Sequence, residues 1–134
     1  MTAKLEGRPQ EILGGCDAAH LAIARADGSV QCVVVWAAEE GGLVTLNAAV
    51  GRSWPCNLQR AGRATLTILA DGNPNEWVSI EGRLVQATTE GANEHRERLV
   101  AKYGEPGRPP RPGAENRIML TLEPERIYYF KQDR

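Results

Sequence analysis

The sequence lacks most of the features that would identify a function at once. Its three cysteines, Cys16, Cys32 and Cys56, are odd in number and include no CxxC pair, which argues against a disulfide framework and a zinc module. No apolar run approaches the roughly 20 residues of a membrane span. The N-terminal segment MTAKLEGRPQ has no apolar signal-peptide core. A cytoplasmic protein without a membrane partner is therefore expected.

An excess of charge of one sign is also missing. The 16 basic and 17 acidic residues give a formal net charge of −1, whereas a general nucleic-acid binder usually carries a basic excess. We therefore expect no nucleic-acid partner. The GxSxG, HExxH, P-loop and GxGxxG motifs are absent, which excludes the common hydrolase, metalloprotease and nucleotide-binding signatures. His20 and His95 have no neighbour at metal-ligand spacing, so we predict neither a metal site nor a catalytic acid–base pair.

What is present is typical of a small globular domain. Apolar residues make up 42% of the chain and charged residues 25%, which is ordinary usage for a folded protein. A chain of 134 residues has room for one domain, expected to span residues 1–134.

The distribution of β-branched residues and turn signals predicts a mainly β fold of six antiparallel strands. Asp27-Gly28 and the run Glu39–Gly42 are turn signals that make the first three strands a meander. Gly82 indicates a bulge, and Pro124 interrupts the last strand. Closing such a sheet into a barrel removes its exposed edges. The predicted strands are His20–Ala26, Val30–Ala38, Leu43–Asn47, Ala64–Leu69, Glu76–Ala87 and Arg117–Phe130.

Two to three short helices are expected beside these strands. One covers Ser53–Ala61, with Ser53 as its N-cap and Gly62 after its end. Another runs from about Glu90 to Tyr103 and stops at Gly104. The Pro/Gly/Arg-rich stretch Glu105–Gly113 that follows is predicted to be a solvated loop.

Two side chains have predicted surroundings that are purely structural. His95 falls on the inner side of the helix from Glu90 to Tyr103, where we expect a half-buried histidine with its hydrogen bonds satisfied. Cys32 lies within a strand and is expected to be a small core residue.

The most informative segment is the junction Asn47-Ala48-Ala49-Val50-Gly51-Arg52-Ser53, where a strand runs into a helix. Unpaired amides at a helix start attract an anion, and an arginine adds a bidentate fork for phosphate. The small residues Ala48, Ala49 and Gly51 would let a flat ligand approach the backbone. An ordinary strand–helix joint would carry the same pattern, so the two readings stay open on this segment alone.

The order of the segments resembles the flavin/deazaflavin oxidoreductases of the split β-barrel superfamily, which includes pyridoxamine 5'-phosphate oxidase. The resemblance covers about Ala19 to Ile127 and is strongest to the branch that uses the deazaflavin coenzyme F420. It is carried by five segments in family order: DGSVQCVVVW, LVTLNAAVGRSWPCNLQR, NPNEWVSIEGRL, GANEHRERLVAKYG and RIMLTLEPERI.

The resemblance implies an FMN-binding-like barrel that forms a homodimer, with a cofactor in the groove between the two subunits. By analogy, the cofactor phosphate would lie beside Gly51, Arg52, Ser53 and Trp54. Backbone groups of Ala49–Gly51 would also bind the phosphate. The ring system would lie near Asn47 and Ala48, over a floor of Val33 and Val34. Asn57 would brace the loop, and Trp77 would face the pocket of the partner subunit.

The chain departs from the family pattern at the phosphate site. Family members often read GRxKxRNLRR, whereas this chain has Trp54 in the lysine position and Cys56 in the second arginine position. Arg52, Arg60 and Arg63 are the residues expected to compensate.

Three functions follow from the resemblance. The first is an F420H2-dependent reductase that transfers a hydride to a conjugated small molecule such as an enone, quinone or tetrapyrrole. The second is an FMN-dependent oxidase or reductase of the pyridoxamine phosphate oxidase-like type. The third is a non-catalytic dimer that binds a flavin or haem.

Overall fold

A computed structural model describes residues 2–104 and 116–132 of the chain. Its elements, in chain order, are α1 (Gly7–Leu13), β1 (Ala19–Ala24), β2 (Val30–Val35), β3 (Ala37–Glu40), β4 (Leu43–Ala49), α2 (Ser53–Ala61), β5 (Arg63–Ala70), β6 (Asn73–Thr88), α3 (Ala92–Lys102) and β7 (Arg117–Lys131). The predicted loop Glu105–Gly113 lies outside the described residues.

The described strands form one antiparallel sheet of seven in the order β2-β1-β5-β6-β7-β4-β3. The prediction of six strands was wrong because the segment predicted as a single strand, Val30–Ala38, is divided at Trp36. Before Trp36 the chain pairs with β1, and after it the chain pairs with β4. The first three predicted strands are therefore two separate hairpins and not one meander.

The break at Trp36 shows how strongly the sheet is curled. β2 and β3 form the two opposite edges of the sheet, yet Val35 and Ala37 are separated by one residue, which spans at most about 7 Å. Both side chains are buried. The two edges must therefore meet at this corner, so the sheet curls into a barrel around a single apolar core.

The longest pairing in the sheet, between β6 and β7, contains the bulge expected at Gly82. The register shifts between Glu81 and Gly82, where Glu81 lies opposite Arg126 and Gly82 opposite Pro124. Glu125 is thus the extra residue on β7. Pro124 does not interrupt this strand as predicted, because the bulge accommodates it within a continuous ladder.

The two predicted helices are present. α2 has the predicted bounds, and Gly62 follows it in the left-handed conformation at φ 76°. Its N-cap is Arg52 and not Ser53, which is the first helical residue. α3 covers Ala92–Lys102, and Gly104 beyond it has φ 79°, which fits a helix terminator.

Helix α1 was not located by the sequence, and a tertiary ion pair holds it against the barrel. Arg8 Nε lies 2.7 Å from Glu76 Oε2 on β6, and the Tyr129 hydroxyl donates to the same oxygen at 2.6 Å. These two hydrogen bonds lower the pKa of Glu76 to about 2, and the one from Arg8 has the larger effect.

The lowered pKa of Glu76 makes the stability of the fold depend on pH. A carboxyl group of lowered folded-state pKa stabilises the fold above its unfolded value of 4.5, and this contribution disappears as the pH falls towards about 2. We expect Glu76→Gln to destabilise the protein at pH 6 and to have a much smaller effect at pH 2.5. Urea unfolding at both pH values measures this. An equal effect at both would contradict an ionic role for Glu76.

The alternation along β2 separates an inner from an outer face of the sheet. Val33 and Val35 pack towards the core, whereas Val30 and Val34 are 62% and 66% exposed. Cys32 falls on the outer face and is exposed, so the prediction of a core cysteine was wrong. Among residues 2–104 and 116–132, no helix is long and apolar enough to cross a bilayer.

Candidate functional site

The candidate site is built around the turn that joins β4 to α2. Ala48 is buried, and the chain then turns outward through Val50, whose amide donates to the Asn116 carbonyl at 2.9 Å. Gly51 has φ 92°, and a side chain at this position would meet no atom within 4 Å. Arg52 caps α2 through its backbone and makes no side-chain cap. The turn thus offers open space beside an arginine and the start of a helix.

The start of α2 is fixed to β2 by Gln31, which the sequence analysis did not single out. Gln31 Nε2 donates to the Ser53 hydroxyl at 3.0 Å, and Asn57 Nδ2 donates to Gln31 Oε1 at 2.8 Å. The Asn57 oxygen accepts from Arg60 at 3.3 Å. The Asn57 side chain therefore joins the helix to the strand.

Asn47 lies at the centre of a second set of polar contacts. Its Nδ2 donates to the Ala92 carbonyl at 2.8 Å and to His95 Nδ1 at 3.0 Å. Its Oδ1 accepts from Arg117 Nε at 2.8 Å. This amide therefore joins β4 to both α3 and β7, and both of its N–H groups are engaged.

These contacts also determine the state of His95. Because Asn47 offers an N–H to Nδ1, the proton of the neutral ring lies on Nε2. Burial lowers the pKa of His95, which has no solvent exposure, so the ring is neutral at pH 7. Nε2 has no hydrogen-bond partner among the described residues. The predicted half-buried, satisfied histidine was thus wrong on both counts.

The predicted floor residues lie on opposite faces of β2. Val33 packs against the core, whereas Val34 belongs to the exposed outer face. Val34 lies opposite His20 on β1, and the same row continues across β5 and β6 to Tyr128 on β7. Only one of the two valines can present its side chain to a ligand on that face.

Trp77 belongs to the same outer face. Its ring stacks on Phe130 with centroids 5.1 Å apart and lies 5.6 Å from Tyr128. Tyr128 is 56% exposed. This aromatic group and the exposed valines of β2 are two apolar parts of the outer face, and His20, Thr67 and Ser79 lie on the row between them.

The other two tryptophans have structural surroundings. Trp54 is buried in the main core cluster, although it follows the basic position of the turn. Trp36 stacks on Tyr103, with centroids 4.9 Å apart and planes within 6°, where the chain passes from one sheet edge to the other.

The structure brings the expected residues together in two groups. Residues 47–54 and Asn57 lie around the β4–α2 turn, linked through Gln31 and Asn47. Val34 and Trp77 lie on the outer face, where the ring contacts of Trp77 within the described part of the chain are to Tyr128 and Phe130.

The described residues hold no cluster of three His, Cys, Asp or Glu side chains that could bind a metal ion.

Comparison with known proteins gives likeness of structure without likeness of sequence. No family model and no curated protein matches the chain. A solved structure named F420 reductase superposes with a TM-score of 0.82 at 18% identity, covering 92% of this chain and 98% of that one. A conserved hypothetical protein from Mycobacterium tuberculosis gives 0.76 at 17%, over 97% and 86% of the two chains. A putative pyridoxamine 5'-phosphate oxidase from Listeria innocua gives 0.68 at 14%, over 91% and 94%. These likenesses show the fold alone: the chain shares the fold of these proteins over nearly its whole length, as the sequence resemblance implied.

Proposed function

We propose that this protein is a cytoplasmic homodimeric oxidoreductase that uses reduced coenzyme F420. The acceptor is a conjugated small molecule of the enone, quinone or tetrapyrrole class. The observation that carries the proposal is the open turn at Gly51 and Arg52, on a fold shared over nearly the full length with an F420 reductase. When bound, the reduced deazaflavin supplies the hydride, and the protein supplies placement, desolvation and charge.

The residues of the turn fit a phosphorylated planar ligand. A Cβ at Gly51 would meet no atom within 4 Å, so an anionic group can reach the backbone there. The guanidinium of Arg52 is exposed at the start of α2, where the helix dipole also favours negative charge. Ala48 and Ala49 add no bulk along the approach from β4.

The outer face supports a site shared between two copies of the chain. Val30, Val34 and Tyr128 are each more than half exposed, and Trp77 lies beside Tyr128 and stacks on Phe130. Covering such a surface with a second copy removes apolar area from water. A planar ring system would be shielded from solvent in the same step.

The test of this proposal is direct binding of the cofactor. Titrating the purified protein with oxidised F420 and following its fluorescence should give saturable binding at micromolar concentrations, with sedimentation showing a dimer. Absence of binding at about 50 μM cofactor, a level at which even weak sites are occupied, would overturn it.

The second candidate is an FMN-dependent oxidase or reductase on the same scaffold, favoured by the fold shared with a putative pyridoxamine 5'-phosphate oxidase. Protein that is yellow as isolated, with the absorption of oxidised flavin, would support FMN over F420. Tight binding without turnover of any conjugated acceptor would instead indicate the non-catalytic binding dimer.

Arg52 provides the first mutational test of the site. We expect Arg52→Ala to weaken binding of a phosphorylated cofactor by about 1.5–3 kcal/mol, since a charge-assisted hydrogen bond is lost. Because the Arg52 side chain is exposed, the melting temperature of the variant should stay close to that of wild type. Arg83→Ala is a matched control, since Arg83 pairs with Glu123 at 2.9 Å. Equal affinities of wild type and Arg52→Ala would remove Arg52 from the site.

A further inference from the structure

Two of the arginines expected to compensate for the missing cations are committed to other partners. Arg60 donates to the Ala24 carbonyl and to Asn57, which holds it against the β1 end of the barrel. Arg63 forms an ion pair with Glu125. Of the three compensating residues, Arg52 alone remains beside the turn.

Two other arginines, which the sequence pattern did not single out, converge on Arg52. Arg117 is the first residue of β7 and pairs with Ala49, which lies three residues before Arg52 in the chain. Arg96 follows His95 on α3, and His95 and Arg117 bind the same Asn47 amide. Burial lowers the pKa of Arg117, and the nearby charges of Arg96 and then Arg52 lower it further. β4, α3 and β7 thus bring three positive charges to the same turn.

The described residues give this cluster little compensating negative charge. Arg117 Nε is bound to a neutral amide oxygen. The Arg96 side chain is only 14% exposed, and its ion pair is with the adjacent Glu97, 3.3 Å away and 67% exposed. Arg52 makes no side-chain contact with a described carboxylate. Guanidinium groups held close together without a shared carboxylate form a strong site for an oxyanion.

We propose that Arg96 and Arg117 complete, with Arg52, a binding site for the phosphate of the cofactor. The site takes the place of the basic residues missing from α2. The inference rests on the proposed function, since it assigns the ligand of the same turn. Asn47 and His95 act as positioning residues because they hold Arg117 and the start of α3 in place.

The test compares a phosphorylated ligand with its unphosphorylated counterpart. Oxidised F420 and its dephosphorylated deazaflavin chromophore are titrated into wild type, Arg96→Gln and Arg117→Gln, with fluorescence as the readout. We expect each variant to lose affinity for F420 by about 10-fold or more and to bind the chromophore as wild type does. Arg117→Lys, which keeps the charge, should recover part of the loss.

Arg98→Gln is the matched control on the same helix, because the Arg98 guanidinium is paired with Glu40 at 3.1 and 3.2 Å. It should bind F420 as wild type does. Unchanged F420 affinity in both Arg96→Gln and Arg117→Gln would overturn the assignment. So would an equal loss for both ligands, which would show only a structural role.

Failure of the proposed function can be separated from failure of this site. If wild type binds neither deazaflavin, the proposed function is wrong, and the arginine site is then measured with inorganic pyrophosphate by calorimetry. Pyrophosphate binding that disappears in Arg96→Gln and Arg117→Gln would support the site. No pyrophosphate binding, or binding that the two variants retain, would overturn it.

Discussion

Replacing Asn47 with alanine is expected to lower the free energy of unfolding by about 2–4 kcal/mol. The change removes two neutral hydrogen bonds and one from a guanidinium, worth roughly 0.5–1.5 and 1.5–3 kcal/mol respectively. The larger cost comes from the partners left behind. His95 Nδ1 is buried and would have no donor, and the half-buried Arg117 would lose its acceptor. Urea unfolding of wild type and variant measures the difference.

Asn93→Ala is the matched control for this prediction, because Asn93 is an exposed asparagine on α3. Its effect should stay within about 0.5 kcal/mol. A small effect of Asn47→Ala would show that the three contacts contribute little to stability, and would return Asn47 to the role of a ligand-facing residue. A large effect, with hydrogen exchange increased in α3, would support the positioning role.

The elements that sequence patterns predicted well are those governed by local chemistry. α2 has its predicted bounds because a proline in its first turn and Gly62 after its end mark both termini within nine residues. The start and end of β5 follow in the same way from flanking turns. Such signals depend only on neighbours in the chain, so they can be read without knowledge of the fold.

The break between β2 and β3 could not be predicted in this way. Residues 30–38 form a continuous strand-like run, and both halves remain extended in the structure. What changes at Trp36 is the pairing partner, from β1 to β4. Because pairing partners depend on the curl of the whole sheet, the hydrophobic pattern of a single segment contains no sign of the switch.

Helix α1 shows the opposite difficulty. Its seven residues GRPQEIL include a glycine and a proline and are too few to be stable alone. The contacts that hold it, above all Arg8 with Glu76, join residues 68 positions apart. Its formation is therefore a consequence of tertiary packing.

The candidate site likewise has one part that could be predicted from the sequence and one part that could not. The turn from Asn47 to Ser53 could be predicted because its small residues and arginine are contiguous. Arg96 and Arg117 could not, since they come from α3 and the start of β7. They reach the turn only because β4 pairs with β7 and because Asn47 ties α3 to β4. The missing cations of α2 are therefore apparent from the sequence, whereas the arginines that we propose in their place are not.

Gly82→Val is expected to destabilise the fold by about 1–3 kcal/mol, the usual range for overpacking. A Cβ at Gly82 would lie 3.0 Å from the Leu122 Cβ and 3.4 Å from the Glu123 carbonyl oxygen. Leu122 is fully buried, so neither it nor the paired backbone can move away without disturbing the bulge between β6 and β7. Thermal and urea unfolding measure the effect. Gln86→Val, an exposed position on the same strand, should change the stability by less than about 0.5 kcal/mol. If both variants were equally stable, the close contact between Gly82 and Leu122 would be contradicted, and the glycine at the bulge would be explained by backbone freedom alone.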